Sequence, residues 1–171
     1  FTRGQIEMFE AASMQLQAAF PHKILRHICN SAGIERFPGA QFDMVRLGIG
    51  LYGISPIDNT IINNVSTLKT TILQIREVPE EDTVGYSRKG HLKRDSRIAA
   101  LPIGYADGLN RHLGNGHAYC LVNGQRAPYV GNICMDVCMI DVTDIECKEG
   151  DIVEIFGDHL SLIHISEPTR R

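Results

Sequence analysis

Residues 43–53, DMVRLGIGLYG, place an arginine in an apolar run of strand character and follow it at once with Gly-Ile-Gly. The guanidinium of Arg46 does not lose its charge, so burial demands a hydrogen-bonding partner. Gly48 and Gly50 let the backbone come close to a neighbour, and their N–H groups suit an anion. On its own the stretch fits a half-buried arginine before a glycine turn. That is the first reading of these residues alone, and the second is a strand end that holds a phosphorylated cofactor.

The flanking sequence gives this strand its setting. Ile6, Phe9, Ala12, Leu16, Ala19 and Phe20 recur at helical spacing until Pro21 stops the pattern. Residues 24–28 read as a short buried strand that ends at Asn30-Ser31. Residues 42–49 read as the next strand, entered from a turn at 37–39. Helix, strand, connection, strand, with continuous apolar runs, is the rhythm of a parallel α/β barrel. A polar connector at 56–64 marks the expected boundary, and the texture changes after it. An alternating strand is predicted over 68–78, with further strands over 97–103, 118–122, 127–130, 137–142 and 152–156. Turns at 79–82, Asn123-Gly124 and 148–151 separate them. The pattern predicts a mostly antiparallel β domain, barrel-like or sandwich-like.

The bulk properties narrow the field. The 171 residues carry a formal net charge of −3, which gives no reason to expect nucleic acid or an anionic membrane as partner. No apolar run approaches the roughly 20 residues of a membrane span, and no segment reads as a signal peptide. Cysteines stand at 29, 120, 134, 138 and 147. The pair Cys134 and Cys138 flanks Met-Asp-Val, which is not zinc spacing, so reduced thiols and no metal site are expected.

Four more runs stand in fixed order around the opening stretch: HICNS at 27–31, VGYSRKG at 84–90, LPIGYADG at 101–108 and GNICMD at 131–136. Together the five resemble alanine racemase, the pyridoxal-phosphate enzyme of bacterial wall synthesis, from the N-terminus to about residue 158. The resemblance implies a fold of α/β plus all-β class: the last strands of a (β/α)8 barrel, then a mostly antiparallel β domain. It divides the chain into a barrel remnant at 1–58 and a β domain at 59–159. Residues 160–171 are expected to be a non-native tail, because LSLIHISEPTR resembles one frame of a transposon-derived sequencing adapter.

The same resemblance implies roles. Ser31, Gly48 and Ile49 match the hydroxyl and backbone amides that hold the phosphate of pyridoxal 5'-phosphate, and Asn30 shares that surrounding. Arg46 matches the arginine facing the pyridine nitrogen, where a permanent charge keeps the nitrogen unprotonated and the ring a weaker electron sink. His27 matches a histidine behind that arginine. Racemisation needs a proton removed from one face of the α-carbon and returned to the other, hence two acid/base groups. Tyr86 matches the tyrosine that is one of them. Met135 matches the methionine whose backbone N–H binds the substrate carboxylate, and Tyr105 a tyrosine lining the channel. The family usually has arginine where this chain has Asn132. A head-to-tail homodimer is implied, in which Tyr86, Tyr105 and Met135 serve the partner's cofactor.

The second base, a lysine in a run like KANAYG, has no counterpart. Lys23, Lys69, Lys89, Lys93 and Lys148 all lack that context. The chain is therefore expected to be a cytoplasmic racemase fragment that is inactive alone. Two alternatives stay open: a fragment of a broad-specificity amino-acid racemase, and a non-catalytic β module that binds a partner protein.

Overall fold

A computed structural model describes residues 1–60 and 62–161 of the chain. They divide into two compact units, Phe1–Asn63 and the remainder from Asn64.

The first unit opens with helix α1 (Thr2–Ala18), as the apolar spacing predicts. None of its residues is buried. Phe9 meets Phe42 with ring centroids 5.3 Å apart, and the Arg26 guanidinium lies 4.9 Å from the Phe42 centroid. A six-residue helix, α2 (Ser31–Arg36), follows. Residues 24–28 and 42–49 do not form the ladder expected of them. They run side by side in parallel sense, with Asp43 N–H donating to Arg26 O at 3.1 Å and Arg46 N–H to Cys29 O at 2.9 Å. The prediction of two strands is corrected on a physical ground. Parallel strands are stabilised with neighbours on both sides and faces covered, and among the described residues each segment pairs with the other alone. Phe42 also turns into left-handed backbone (φ 48°), and residues Ile49–Tyr52 close as a 3-10 turn.

The second unit carries nine strands among the described residues: β1 (Leu68–Thr71), β2 (Gln74–Val78), β3 (Thr83–Val84), β4 (Gly90–His91), β5 (Ser96–Leu101), β6 (Tyr119–Val122), β7 (Gln125–Val130), β8 (Cys138–Asp141) and β9 (Ile152–Phe156). Seven form one sheet in the order β1-β9-β6-β7-β8-β5-β2, and β3 pairs with β4 as a separate ribbon. The single strand predicted over 68–78 is two strands. They lie at opposite edges of the sheet, β1 against β9 and β2 against β5. Ile72 and Leu73 make the crossing, donating to Asp151 O and Ala100 O. Three Cα–Cα steps span at most about 11 Å, so edges joined by two residues lie close, and the sheet is curled almost into a closed barrel.

The alternation that predicted these strands fills the interior. Ala99, Leu101, Cys120, Val122, Ala127, Tyr129, Cys138, Ile140, Val153 and Ile155 are all buried. Burial pushes the Cys138 thiol up to about 12 and raises that of Cys120 as well. Asn123 (φ 50°) and Gly124 (φ 75°) make the left-handed pair that a two-residue hairpin requires, joining β6 to β7. Among the described residues no helix is long and apolar enough to cross a membrane. Of the tail 160–171, Leu160 is buried, and residues 162–171 lie outside the described residues.

Candidate functional site

In the first unit the structure brings Ser31, Gly48 and Gly50 together. Asn30 caps α2, its Oδ1 accepting from Gly33 N–H at 3.0 Å, and this sets Ser31 at the helix start. The buried Ser31 Oγ accepts from Gly48 N–H at 2.9 Å and from Gly50 N–H at 3.3 Å. With both lone pairs engaged, the hydroxyl hydrogen is left to donate outward. The exposed Ile49 starts the 3-10 turn, and the first amides of such a turn have no partner within it. A hydroxyl and a turn-start amide side by side form a donor set that fits a phosphate. Gly48 spends its own amide on Ser31.

Arg46 is exposed rather than half-buried, and its Nη2 donates to Ile28 O at 3.3 Å. Together with Asn30, Cys29, Ile6 and Phe37 it lines one cleft. His27 lines a different groove, with Phe9, Leu16 and Ile24, so the structure does not bring it into the cleft of Arg46.

In the second unit, Tyr86, Tyr105 and Met135 sit on three segments joined by hydrogen bonds. The antiparallel pairing of β5 with β8 sets Leu101 opposite Cys138, and that of β7 with β8 sets Val130 opposite Met139. The loop leaving β5 and the loop joining β7 to β8 therefore emerge at the same end of the sheet. Tyr105 N–H donates to Cys134 O and Ala106 N–H to Met135 O, both at 3.0 Å. Gly104 makes this approach possible: a Cβ there would lie 2.2 Å from Met135 O. The Arg111 guanidinium stands 5.4 Å from the Tyr105 centroid. Burial raises the Cys134 thiol, with the charge of Arg111 opposing.

Tyr86 opens a short 3-10 turn between β3 and β4, and the residue is 72% exposed. Its carbonyl accepts from Asn132 Nδ2 at 3.1 Å, and Asn132 Oδ1 accepts from Asn115 Nδ2 at 3.0 Å. Arg111 and Asn115 were not legible in the sequence, since neither stands in a distinctive motif. Asn132 was visible only as a departure from the family pattern.

Residues 65–170 match the model of the alanine racemase C-terminal domain, and residues 1–56 that of its N-terminal domain. Alanine racemase 2 of Caldanaerobacter subterraneus is 46% identical over 165 residues, covering 92% of this chain and 42% of the relative. A broad specificity amino-acid racemase of Aeromonas hydrophila is 46% identical over 136 residues, covering 79% of this chain and 33% of the relative. The solved alanine racemase of Clostridium difficile 630 in complex with cycloserine superimposes with a TM-score of 0.84 at 33% identity, covering 98% of this chain and 46% of that one. That of Bartonella henselae, with covalently bound pyridoxal phosphate, gives 0.77 at 35% identity, again covering 98% and 46%. The chain spans less than half the length of these relatives. It belongs to the alanine racemase family.

Proposed function

We propose that the chain is the C-terminal part of a pyridoxal-phosphate-dependent racemase that interconverts L- and D-alanine for cell-wall peptidoglycan in the cytoplasm. The observation that carries this reading is the Ser31 cradle, a hydroxyl held by the Gly48 and Gly50 amides with its hydrogen free to donate. When bound, pyridoxal 5'-phosphate would supply an electron sink that makes the α-proton of an amino acid removable. Ser31 Oγ and the Ile49 amide hold the phosphate, and Asn30 flanks it. Arg46 presents a permanently charged donor to the ring nitrogen. His27 enters through the resemblance alone.

The Tyr86 hydroxyl moves the α-proton on one face of the substrate. The Met135 backbone N–H binds the carboxylate, and Tyr105 narrows the approach. The second proton carrier belongs to sequence outside this chain, because none of the five lysines stands in the required run. The chain alone is accordingly inert. In the full-length homodimer, each β domain serves the partner's cofactor.

The test is Tyr86→Phe in the full-length parent, which removes the proton-carrying oxygen and keeps the ring. Racemisation is expected to fall by roughly 10²–10⁴ in both directions. Deuterium uptake from heavy water at the α-carbon is expected to survive better in D-alanine than in L-alanine, because the resemblance gives the L-enantiomer to the tyrosine and the D-enantiomer to the lysine. Equal residual uptake in both would remove Tyr86 from the chemistry. The 46% identity to the Aeromonas broad-specificity enzyme favours a second reading of the substrate range. Rates of the parent on larger amino acids decide between the two.

A further inference from the structure

Tyr86 offers its surroundings little to hold. Its ring is exposed, so packing does not fix it. Gly85 (φ 79°), Ser87 (59°) and Arg88 (53°) of its turn all have left-handed backbone, and two of these are not glycine. Such residues keep that conformation where neighbours enforce it. Arg88 N–H donates to Gly85 O and Arg88 Nε to Thr83 Oγ1, but both acceptors belong to the same small ribbon. Among the described residues, one hydrogen bond ties residues 85–88 to the rest of the unit, from Asn132 Nδ2 to Tyr86 O.

Asn132 is itself held on two sides. Its neighbour Gly131 is pressed against the ribbon, where a Cβ on Gly131 would lie 2.5 Å from Val84 O. Asn115 reaches the same strand end twice, by its N–H to Gly131 O at 2.9 Å and by its Nδ2 to Asn132 Oδ1 at 3.0 Å. The direction of each amide follows from the Tyr86 carbonyl. That oxygen accepts and cannot donate, so Asn132 turns its nitrogen toward it and its oxygen toward Asn115. Arginine at 132 would bring donors and no acceptor for Asn115, so this brace depends on asparagine.

We propose that Asn132, braced by Asn115, is a positioning residue that sets where the Tyr86 hydroxyl stands. The inference rests on the reading of Tyr86 as a proton carrier, and its test is independent of that reading. Amide hydrogen exchange is followed in the full chain and in Asn132→Ala and Asn132→Asp. The aspartate variant keeps the shape and the acceptor for Asn115, but it turns an anionic oxygen toward the Tyr86 carbonyl. At pH 7 both variants are expected to speed exchange across residues 85–89 about tenfold, the factor lost with one ordinary hydrogen bond. The β6–β7 hairpin keeps its rate.

Below the ordinary aspartic pKa of about 3.9, the new carboxyl gains a proton to donate to Tyr86 O. The excess exchange of Asn132→Asp over the parent chain at the same pH then disappears, whereas that of Asn132→Ala persists. A wild-type rate in Asn132→Asp at pH 7, equal acceleration in the hairpin, or no recovery in acid would each overturn the proposal. The exchange reads the turn, and deuterium uptake into alanine reads the chemistry, so the two failures are told apart.

Discussion

The two units of the chain solve the same problem with different completeness. In the second, seven antiparallel strands curl until the sheet edges are consecutive in the chain, and the interior fills with its own side chains. In the first, α1 buries no residue, the two parallel segments share isolated hydrogen bonds, and Leu25, Leu47, Leu51 and Tyr52 are exposed. In the second unit β6–β7 and β7–β8 are neighbours along the sequence, and the partners of the other sheet strands come from segments further along this same chain. Parallel barrel strands find theirs around a ring, and this chain spans 42% of its relative's length. The Ser31 cradle is nevertheless formed in the first unit, because its bonds are made within residues 30–50.

The sharpest contrast is in the cost of lost side chains. Leu101 is 0% exposed in the barrel interior, so Leu101→Ala is expected to destabilise the second unit by about 2–5 kcal/mol. Leu25 is 60% exposed, and Leu25→Ala is expected to change stability by no more than about 0.5 kcal/mol. Urea midpoints measure both, and equal losses would erase the distinction between the units.

Glycines extend the comparison. A Cβ at Gly104 would lie 2.2 Å from Met135 O and 2.5 Å from Cys134 O, both backbone atoms. Gly104→Ala is expected to lose about 1–3 kcal/mol and to push the Tyr105 and Met135 loops apart. Gly39 in the first unit has nothing within 4 Å of the new Cβ, and Gly39→Ala should leave the urea midpoint unchanged. A neutral Gly104→Ala would contradict the close packing of those loops.

The smallest effect is electrostatic and belongs to the first unit. Asp43 accepts from Lys23 Nζ at 2.9 Å and from Arg26 N–H at 3.0 Å, which hold its carboxyl at about 2 rather than 3.8. The folded value lies below the unfolded one. The contribution is therefore present above about pH 4 and is lost as the pH falls toward 2. A carboxyl NMR titration with a midpoint near 3.8 would show that the Lys23–Asp43–Arg26 cluster does not persist in solution.

What could be read from the sequence follows the same division. The period-two strands over 97–103, 118–122, 137–142 and 152–156 lie close to β5, β6, β8 and β9, because alternation reports a surface buried on one side within the domain. The break at Ile72-Leu73 was hidden because both residues continue the apolar pattern while the chain crosses between sheet edges. Residues 24–28 and 42–49 have apolar strand sequences, but a ladder depends on neighbours that local pattern does not contain. At the site, Ser31 with Gly48 was legible from spacing and the resemblance. The Asn115–Asn132 pair was not, because it depends on a turn and a strand end that meet only in the fold.

Amide hydrogen exchange across the full chain at neutral pH tests the contrast most directly. The account predicts protection of roughly a thousandfold or more in β5, β6, β8 and β9, against about tenfold or less for residues 24–30 and 43–48. Protection in those first-unit segments equal to that of β8 would contradict it, because two parallel segments without a ladder would then be as stable as a strand paired on both sides.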